Sequence, residues 1–174
     1  MSDKKIDLLL TRRSIRTYKS DNIPDETLKR ILSAAKYAPS AMGLQNRFFT
    51  IVKNQEFLQE IINATKKSGS EFLPGHTPFY NAPAVIIVSA PKDFKYNRED
   101  TACAIMNIML AAHAYGLGSC YICSVLPGLN DKYITEKLGL PDGYNPYGCV
   151  CIGYSNEKSP EPKPRRTDDI KCID

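Results

Sequence analysis

The sequence predicts an α+β fold, and three observations carry that prediction. Segments with apolar residues at helical spacing are mixed with short runs rich in β-branched and aromatic residues. The strand-like runs do not alternate strictly with helices, as a parallel βαβ array requires. No G-x-G-x-x-G motif follows the first strand, which argues against a dinucleotide-binding Rossmann domain. The chain has 174 residues with no internal repeat and no low-complexity linker. We therefore expect a single domain over residues 1–174, large enough for a real core.

The elements follow in order. A helix is expected over residues 3–11, with Ile6, Leu9 and Leu10 on one face, and an extended piece over 14–18. Pro24 opens a second helix with Asp25 and Glu26 in its first turn. Leu28, Ile31, Leu32 and Ala35 give it an apolar stripe, and Pro39 ends it. Residues 48–52 are strand-like. Asn54 caps a helix carrying Phe57, Leu58, Ile61 and Ile62. Residues 68–81, with Gly69, Pro74, Gly75 and Pro78, form a loop. Residues 84–89 make a fully buried strand, because the apolar run is continuous. A helix over about 100–115 is apolar nearly all round, so it is buried centrally or in a subunit interface. Gly116-Leu117-Gly118 stops it before a strand over 119–125. A short helix over 131–138, a Pro141-Asp142-Gly143 turn and a strand over 147–152 complete the domain. From about 155 to 174 the chain is polar, with Pro160, Pro162 and Pro164; it reads as a disordered tail or an extended arm laid across a partner.

Bulk properties narrow the function classes. A net charge of +4, with basic residues scattered except near the two ends, makes no case for nucleic acid. No apolar run approaches the roughly 20 residues of a membrane span, and the N-terminus does not read as a signal peptide. We expect a cytoplasmic protein. The six cysteines are then reduced thiols rather than a disulfide framework. Cys120-x-x-Cys123 admits a metal or redox reading, but a zinc site would want a second pair, and Cys149-Val-Cys151 lacks the two-residue gap. Both pairs sit in apolar strand-like runs, so we expect core cysteines and no metal.

Three features carry chemistry. Arg12, Arg13 and Arg16 lie close together, interleaved with Ser14, at the end of a helix. In an extended segment Arg12, Ser14 and Arg16 turn to one side, and two guanidinium forks with a hydroxyl suit a phosphate. A solvated basic turn, or cations complementing the helix C-terminus, is the alternative. Lys163-Pro164-Arg165-Arg166 forms a second basic cluster, either presented stiffly by its prolines or part of a soluble tail. It has no interleaved aromatic that would stack a base. The third feature is Ala38-Pro39-Ser40-Ala41-Met42-Gly43-Leu44-Gln45-Asn46. Its small residues let backbone amides approach a flat ligand, and Gln45 can donate and accept at a ring edge; it also reads simply as a helix-to-strand loop. His113, on the apolar helix, reads as a core or interface residue. His76 sits in the glycine/proline loop. No spacing supports a hydrolase triad.

Taken in order, these segments resemble the nitroreductase family of FMN-dependent oxidoreductases. The matching residues are Arg12-Arg13-Ser14-Ile15-Arg16, Ala38-Pro39-Ser40 with Gln45, Asn81-Ala82-Pro83 before a buried strand, Gly116-Leu117-Gly118-Ser119-Cys120, and Lys163-Pro164-Arg165. The resemblance implies a nitroreductase-like fold, a central mixed or antiparallel sheet flanked by helices, in an intertwined homodimer with FMN at the subunit interface. It implies that Arg12, Ser14, Arg16, Lys163 and Arg165, assisted by Arg13, hold the FMN phosphate and ribityl chain. Pro39, Ser40, Met42 and Gln45 would line the isoalloxazine, often from the partner subunit. Tyr121, Ile122, Cys123 and Ser124 would present backbone amides to the flavin. The implied activity passes electrons from NAD(P)H through FMN to a nitroaromatic, quinone or similar acceptor, with no protein group as general acid. A flavin-sequestering protein with little turnover, or a dehalogenating or flavin-degrading relative, is the alternative. The chain departs from the family pattern at Gly43, where Asn is usual, and at Gln45-Asn46-Arg47, where Gln-Pro-Trp is usual. The stretch from about 66 to 80 is also short, which implies a reduced lid. These departures touch the substrate side and leave the phosphate side intact.

Overall fold

A strand that is apolar at nearly every residue needs cover on both faces. β2 (Ala84–Pro91) is such a strand, and the computed structural model, which describes residues 4–173, covers both. β2 lies in a four-stranded sheet with β1 (Phe48–Val52), β3 (Gly118–Ile122) and β4 (Tyr144–Gly153). The order is β1-β2-β4-β3, with every neighbouring pair antiparallel. Side chains alternate across it. Val85, Ile87, Cys120, Ile122, Cys149 and Cys151 face a layer made by α3 (Gln55–Lys67), α5 (Leu126–Leu129) and α6 (Lys132–Leu138). Ala84, Ile86, Val88, Val150 and Ile152 face α2 (Asp25–Lys36) and α4 (Asn97–Ala114), meeting Leu28, Ile31, Ile105 and Ile108. The sheet is thus the middle of three layers, and its double burial does not require parallel strands.

Local chemistry explains the element ends. Asn54 accepts the Phe57 N–H at 2.9 Å and starts α3. Asp131 does the same for α6 through Tyr133 and Ile134, and Gly139 at φ 60° closes that helix. A proline disfavours helical conformation in the residue before it, and α2 ends at Lys36, ahead of Ala38-Pro39. Three boundaries differ most from those predicted. α4 begins at Asn97, earlier than expected. β3 ends at Ile122 rather than 125, because buried Val125 turns to ψ 5° and leads into α5 with Pro127 in its first turn. β4 starts at Tyr144 and runs through Pro146, where β3 does not pair with it; an unpaired edge tolerates proline.

Two features position the site. The segment after α1 (Lys4–Thr11) crosses the end of the sheet, where β3 begins and β4 finishes. Ser14 bridges Ser119, Tyr18 bridges Ser155, and the Ile15 N–H donates to the Ser119 carbonyl at 3.0 Å. The start of the domain is thereby tied to the start of the C-terminal tail. The apolar stripe predicted on α1 also faces outward: Ile6, Leu9 and Leu10 are 49%, 53% and 63% exposed. On α4, Ile105, Ile108, Met109 and Ala112 are buried while Met106 is 45% exposed. The rest of the chain covers only part of either helix. Residues 68–83 and 158–173 hold no helix or strand. No helix among the described residues is long and apolar enough to cross a membrane.

Candidate functional site

The two basic clusters meet. Arg12, Arg13, Ser14 and Arg16 line one cleft of about 250 Å³ together with Pro160, Glu161, Pro162, Lys163 and Arg165. Cations outnumber carboxylates there by five to one. The arginines divide by role. Arg13 donates from Nη1 to the carbonyls of Leu10 and Arg12 at 2.7 and 2.8 Å, so it caps the end of α1. Arg12 Nη1 is buried and has no partner among the described residues. A buried guanidinium N–H without an acceptor is costly, and Arg12 lines a cationic cleft, which fits an anionic group such as phosphate. Arg166 is spent elsewhere, paired with Asp168 at 3.1 Å.

Residues far apart in sequence hold this cleft. The Glu157 carboxylate accepts the backbone N–H groups of Arg16 and Thr17 at 2.6 and 3.2 Å, which seats the arginine segment against the tail. Tyr80 lies near the Arg16 side chain. Burial works against the Arg16 charge, but Cys120, Tyr80 and Glu157 outweigh it and raise its pKa. Burial raises the pKa of the Cys120 thiol behind the cleft, while Arg16 and Ser14 act to lower it. At the end of α4, His113 Nε2 lies 2.9 Å from Thr11 Oγ1. That hydroxyl already donates to the Asp7 carbonyl at 2.6 Å, so the imidazole Nε2–H is the donor. Desolvation, then the charges of Arg12 and Arg13, lower the His113 pKa below its ordinary value.

The other expected site residues lie in two further places on the chain. Pro39, Ser40, Gly43 and Gln45 line a cleft of about 620 Å³ with Lys36, Tyr37 and Ala38; Met42 stands out from the same turn, 76% exposed. Tyr121 and Cys123 line an open cleft of about 780 Å³ that also includes Arg98, Asn130 and Tyr147. Ser124 is exposed nearby, whereas the Ile122 side chain is buried in the core and leaves only its backbone for a ligand. The Tyr121 ring packs over Gly148, where an added Cβ would stand 2.7 Å from it. Burial, then neighbouring Cys123, push the Tyr121 hydroxyl up to about 12.

Comparison with known proteins assigns the scaffold. The model of the nitroreductase family matches residues 9–154. The chain belongs to the nitroreductase family. A protein of Archaeoglobus fulgidus named as an NADH dehydrogenase/NAD(P)H nitroreductase is 35% identical over 156 residues, covering 87% of this chain and 85% of the relative. An NADPH-flavin oxidoreductase of Vibrio harveyi is 30% identical over 171 residues, covering 92% of this chain and 69% of its own length. The crystal structure of a nitroreductase with bound FMN from Bacteroides fragilis superposes with a TM-score of 0.89 at 30% identity, covering 99% of this chain and 100% of that one.

Within this nitroreductase-family chain, the departures acquire physical meaning. Arg47 borders a cleft with Lys36 and Phe49, but its charged end is committed to backbone. It is 9% exposed, and its guanidinium donates to the carbonyls of Pro39 and Ala38 at 2.9 and 3.0 Å. Gly43 adopts φ 65°, a left-handed conformation that glycine takes at little cost. Residues 68–83 carry no lid helix, although Phe79 anchors them in the core. The cysteines split: Cys120, Cys149 and Cys151 are buried as expected, whereas Cys123 and Cys172 are exposed. No group of residues able to hold a metal occurs among the described residues. The contributions of Tyr80, Asp100, Thr11 and Glu157 were missed in the sequence. Only tertiary contacts reveal them, since none lies in a recognisable motif.

Proposed function

We propose that this chain is a single FMN-binding domain, acting as a homodimeric NAD(P)H-dependent oxidoreductase that reduces a nitroaromatic, quinone or similar electron-poor acceptor. The observation that carries the reading is the cationic cleft built from opposite ends of the chain, with buried Arg12 Nη1 lacking a partner. The FMN-bound structural relative and the names of the curated relatives support it. When bound, FMN would supply the redox chemistry, taking electrons from the nicotinamide and passing them to the acceptor.

The protein's part is binding, orientation and electrostatics. Arg12, Ser14, Arg16, Lys163 and Arg165 would hold the phosphate, while Arg13 fixes the helix end that aims them. The backbone of Tyr121, Ile122, Cys123 and Ser124 would border the ring. The turn carrying Pro39, Ser40, Met42 and Gln45 would cover it, in the dimer from the partner subunit. Backbone and cationic donors at a ring edge favour negative charge there without a general acid. The separation of the site residues into three places on one protomer supports a shared site. So do the uncovered apolar faces of α1 and α4. The exposed thiols of Cys123 and Cys172 suit a reducing cytoplasm.

The test uses the purified protein reconstituted with FMN. We expect a flavin spectrum that bleaches when NADH or NADPH is added without oxygen and returns on adding a nitroaromatic or quinone. No flavin uptake would refute the reading. Flavin that binds yet stays oxidised with both donors would leave a sequestering protein instead. A monomer on sizing would count against the shared site.

A further inference from the structure

The turn proposed to cover the flavin ring is poorly anchored by its own side chains. Met42 and Leu44 are 76% and 52% exposed, and residues 39–45 are nowhere fully buried. The backbone is also held in an unfavourable shape. Met42 and Gln45 carry φ values of 56° and 52°, in the left-handed region that side chains with a Cβ avoid. Three hydrogen bonds inside the turn help: Gly43 N–H to the Ser40 carbonyl at 2.9 Å, Leu44 N–H to the Ala41 carbonyl at 3.2 Å, and Gln45 N–H to Ser40 Oγ at 3.0 Å. They set its curvature but do not tie it to the rest of the protein.

Two buried charged residues do that. Arg47, one residue before β1, donates from Nη1 and Nη2 to the carbonyls of Pro39 and Ala38. Asp100, in the first turn of α4 and 4% exposed, accepts the Ala41 N–H on Oδ1 at 2.9 Å. The cation therefore takes carbonyls and the anion takes an amide of one short stretch of backbone. Arg47 Nη1 also lies 3.5 Å from the Asp100 carbonyl, so the two are neighbours. Among the described residues their charged ends make no ion pair within 4.0 Å, and Arg47 Nε and Asp100 Oδ2 are buried without partners. Charge-assisted bonds to backbone are strong when desolvated, and here they replace the apolar packing that the turn lacks.

We propose that Arg47 and Asp100 are positioning residues of the flavin site, a polar clamp that presets the 38–45 turn for the ring. This rests on the FMN reading above. Both would act through the turn rather than on the ring itself. The clamp also separates this turn from the acceptor question: the cation at position 47 works on the protein's own backbone.

The experiment compares wild type with Arg47→Met, Asp100→Ala and Asp100→Asn. Hydrogen exchange of residues 40–45 is read in the FMN-free protein, FMN affinity by quenching of flavin fluorescence, and KM and kcat on the FMN-loaded enzyme. We expect Arg47→Met and Asp100→Ala to lose protection in the turn and to weaken FMN binding about tenfold, the scale of losing one or two charge-assisted bonds. Asp100→Asn keeps an oxygen for the Ala41 N–H and should restore most of both. The donor KM should move less than kcat, because the turn orients the ring. Wild-type protection and affinity in Arg47→Met and Asp100→Ala would overturn the proposal. So would a loss of protection spread evenly over the sheet, which marks general destabilisation. If wild type takes up no FMN, the functional reading fails, while the exchange data still decide whether the clamp exists. If wild type binds FMN and only the clamp variants behave as wild type, the inference fails alone.

Discussion

Replacing Arg12 with Ala probes the proposed phosphate site most directly. Arg12 Nη1 is buried and makes no bond elsewhere among the described residues, so removing the side chain costs no hydrogen bond of that atom. A hydrogen bond to a charged group contributes about 1.5–3 kcal/mol, and the FMN dissociation constant should rise roughly 10- to 150-fold. Arg16, Lys163 and Arg165 line the same cleft and keep binding measurable. The assay is quenching of flavin fluorescence at fixed ionic strength, since partly exposed cations are screened by salt, run with FMN and with riboflavin. Riboflavin carries the ring without the phosphate, so its affinity should hardly change. Arg166→Ala is the control, because Arg166 pairs with Asp168 outside the cleft lining. An equal loss for FMN and riboflavin, or an unchanged FMN affinity, would refute the assignment of Arg12 to phosphate.

Two further predictions follow from titration and burial. Burial raises the thiols of Cys120, Cys149 and Cys151 above the ordinary value, so in native protein at about pH 8 they stay protonated and shielded. Iodoacetamide followed by peptide mass spectrometry should mark Cys123 and Cys172 first; early labelling of Cys149 would contradict the packing. The pKa of His113 is lowered from 6.5 by desolvation and by Arg12 and Arg13. A lowered folded-state pKa means that the unfolded chain takes the proton first. The contribution to stability is therefore present above pH 6.5 and lost as pH falls through the folded value. An NMR titration should find the His113 midpoint below 6.5, moving up when inorganic phosphate offsets the two arginines. A midpoint at or above 6.5 without phosphate would sink this account.

Much of the site was legible because it lies in contiguous segments. Arg12, Ser14 and Arg16 read as an anion site from spacing, and the structure turns all three into one cleft. The choice between phosphate cradle and helix cap was not legible. It divides by residue: Arg13 caps the helix while Arg12 keeps a buried donor without a partner. Lys163 and Arg165 looked like part of a soluble tail until Glu157 and the Tyr18–Ser155 bridge seated that tail beside the arginines. The partners of Arg47 were not legible in the sequence. At the position of an expected aromatic residue it looked like a change on the substrate side, yet its partners are backbone carbonyls nine and eight residues earlier.

The α+β character, the capped helices and the doubly buried β2 follow from the sequence alone, because hydrophobic period, proline and capping side chains act over a few residues. The order β1-β2-β4-β3, the meeting of the two chain ends and the clamp of Arg47 and Asp100 on one turn belong to tertiary structure. Those contacts join residues tens of positions apart. Their partners include backbone atoms, which every residue carries and no motif can mark.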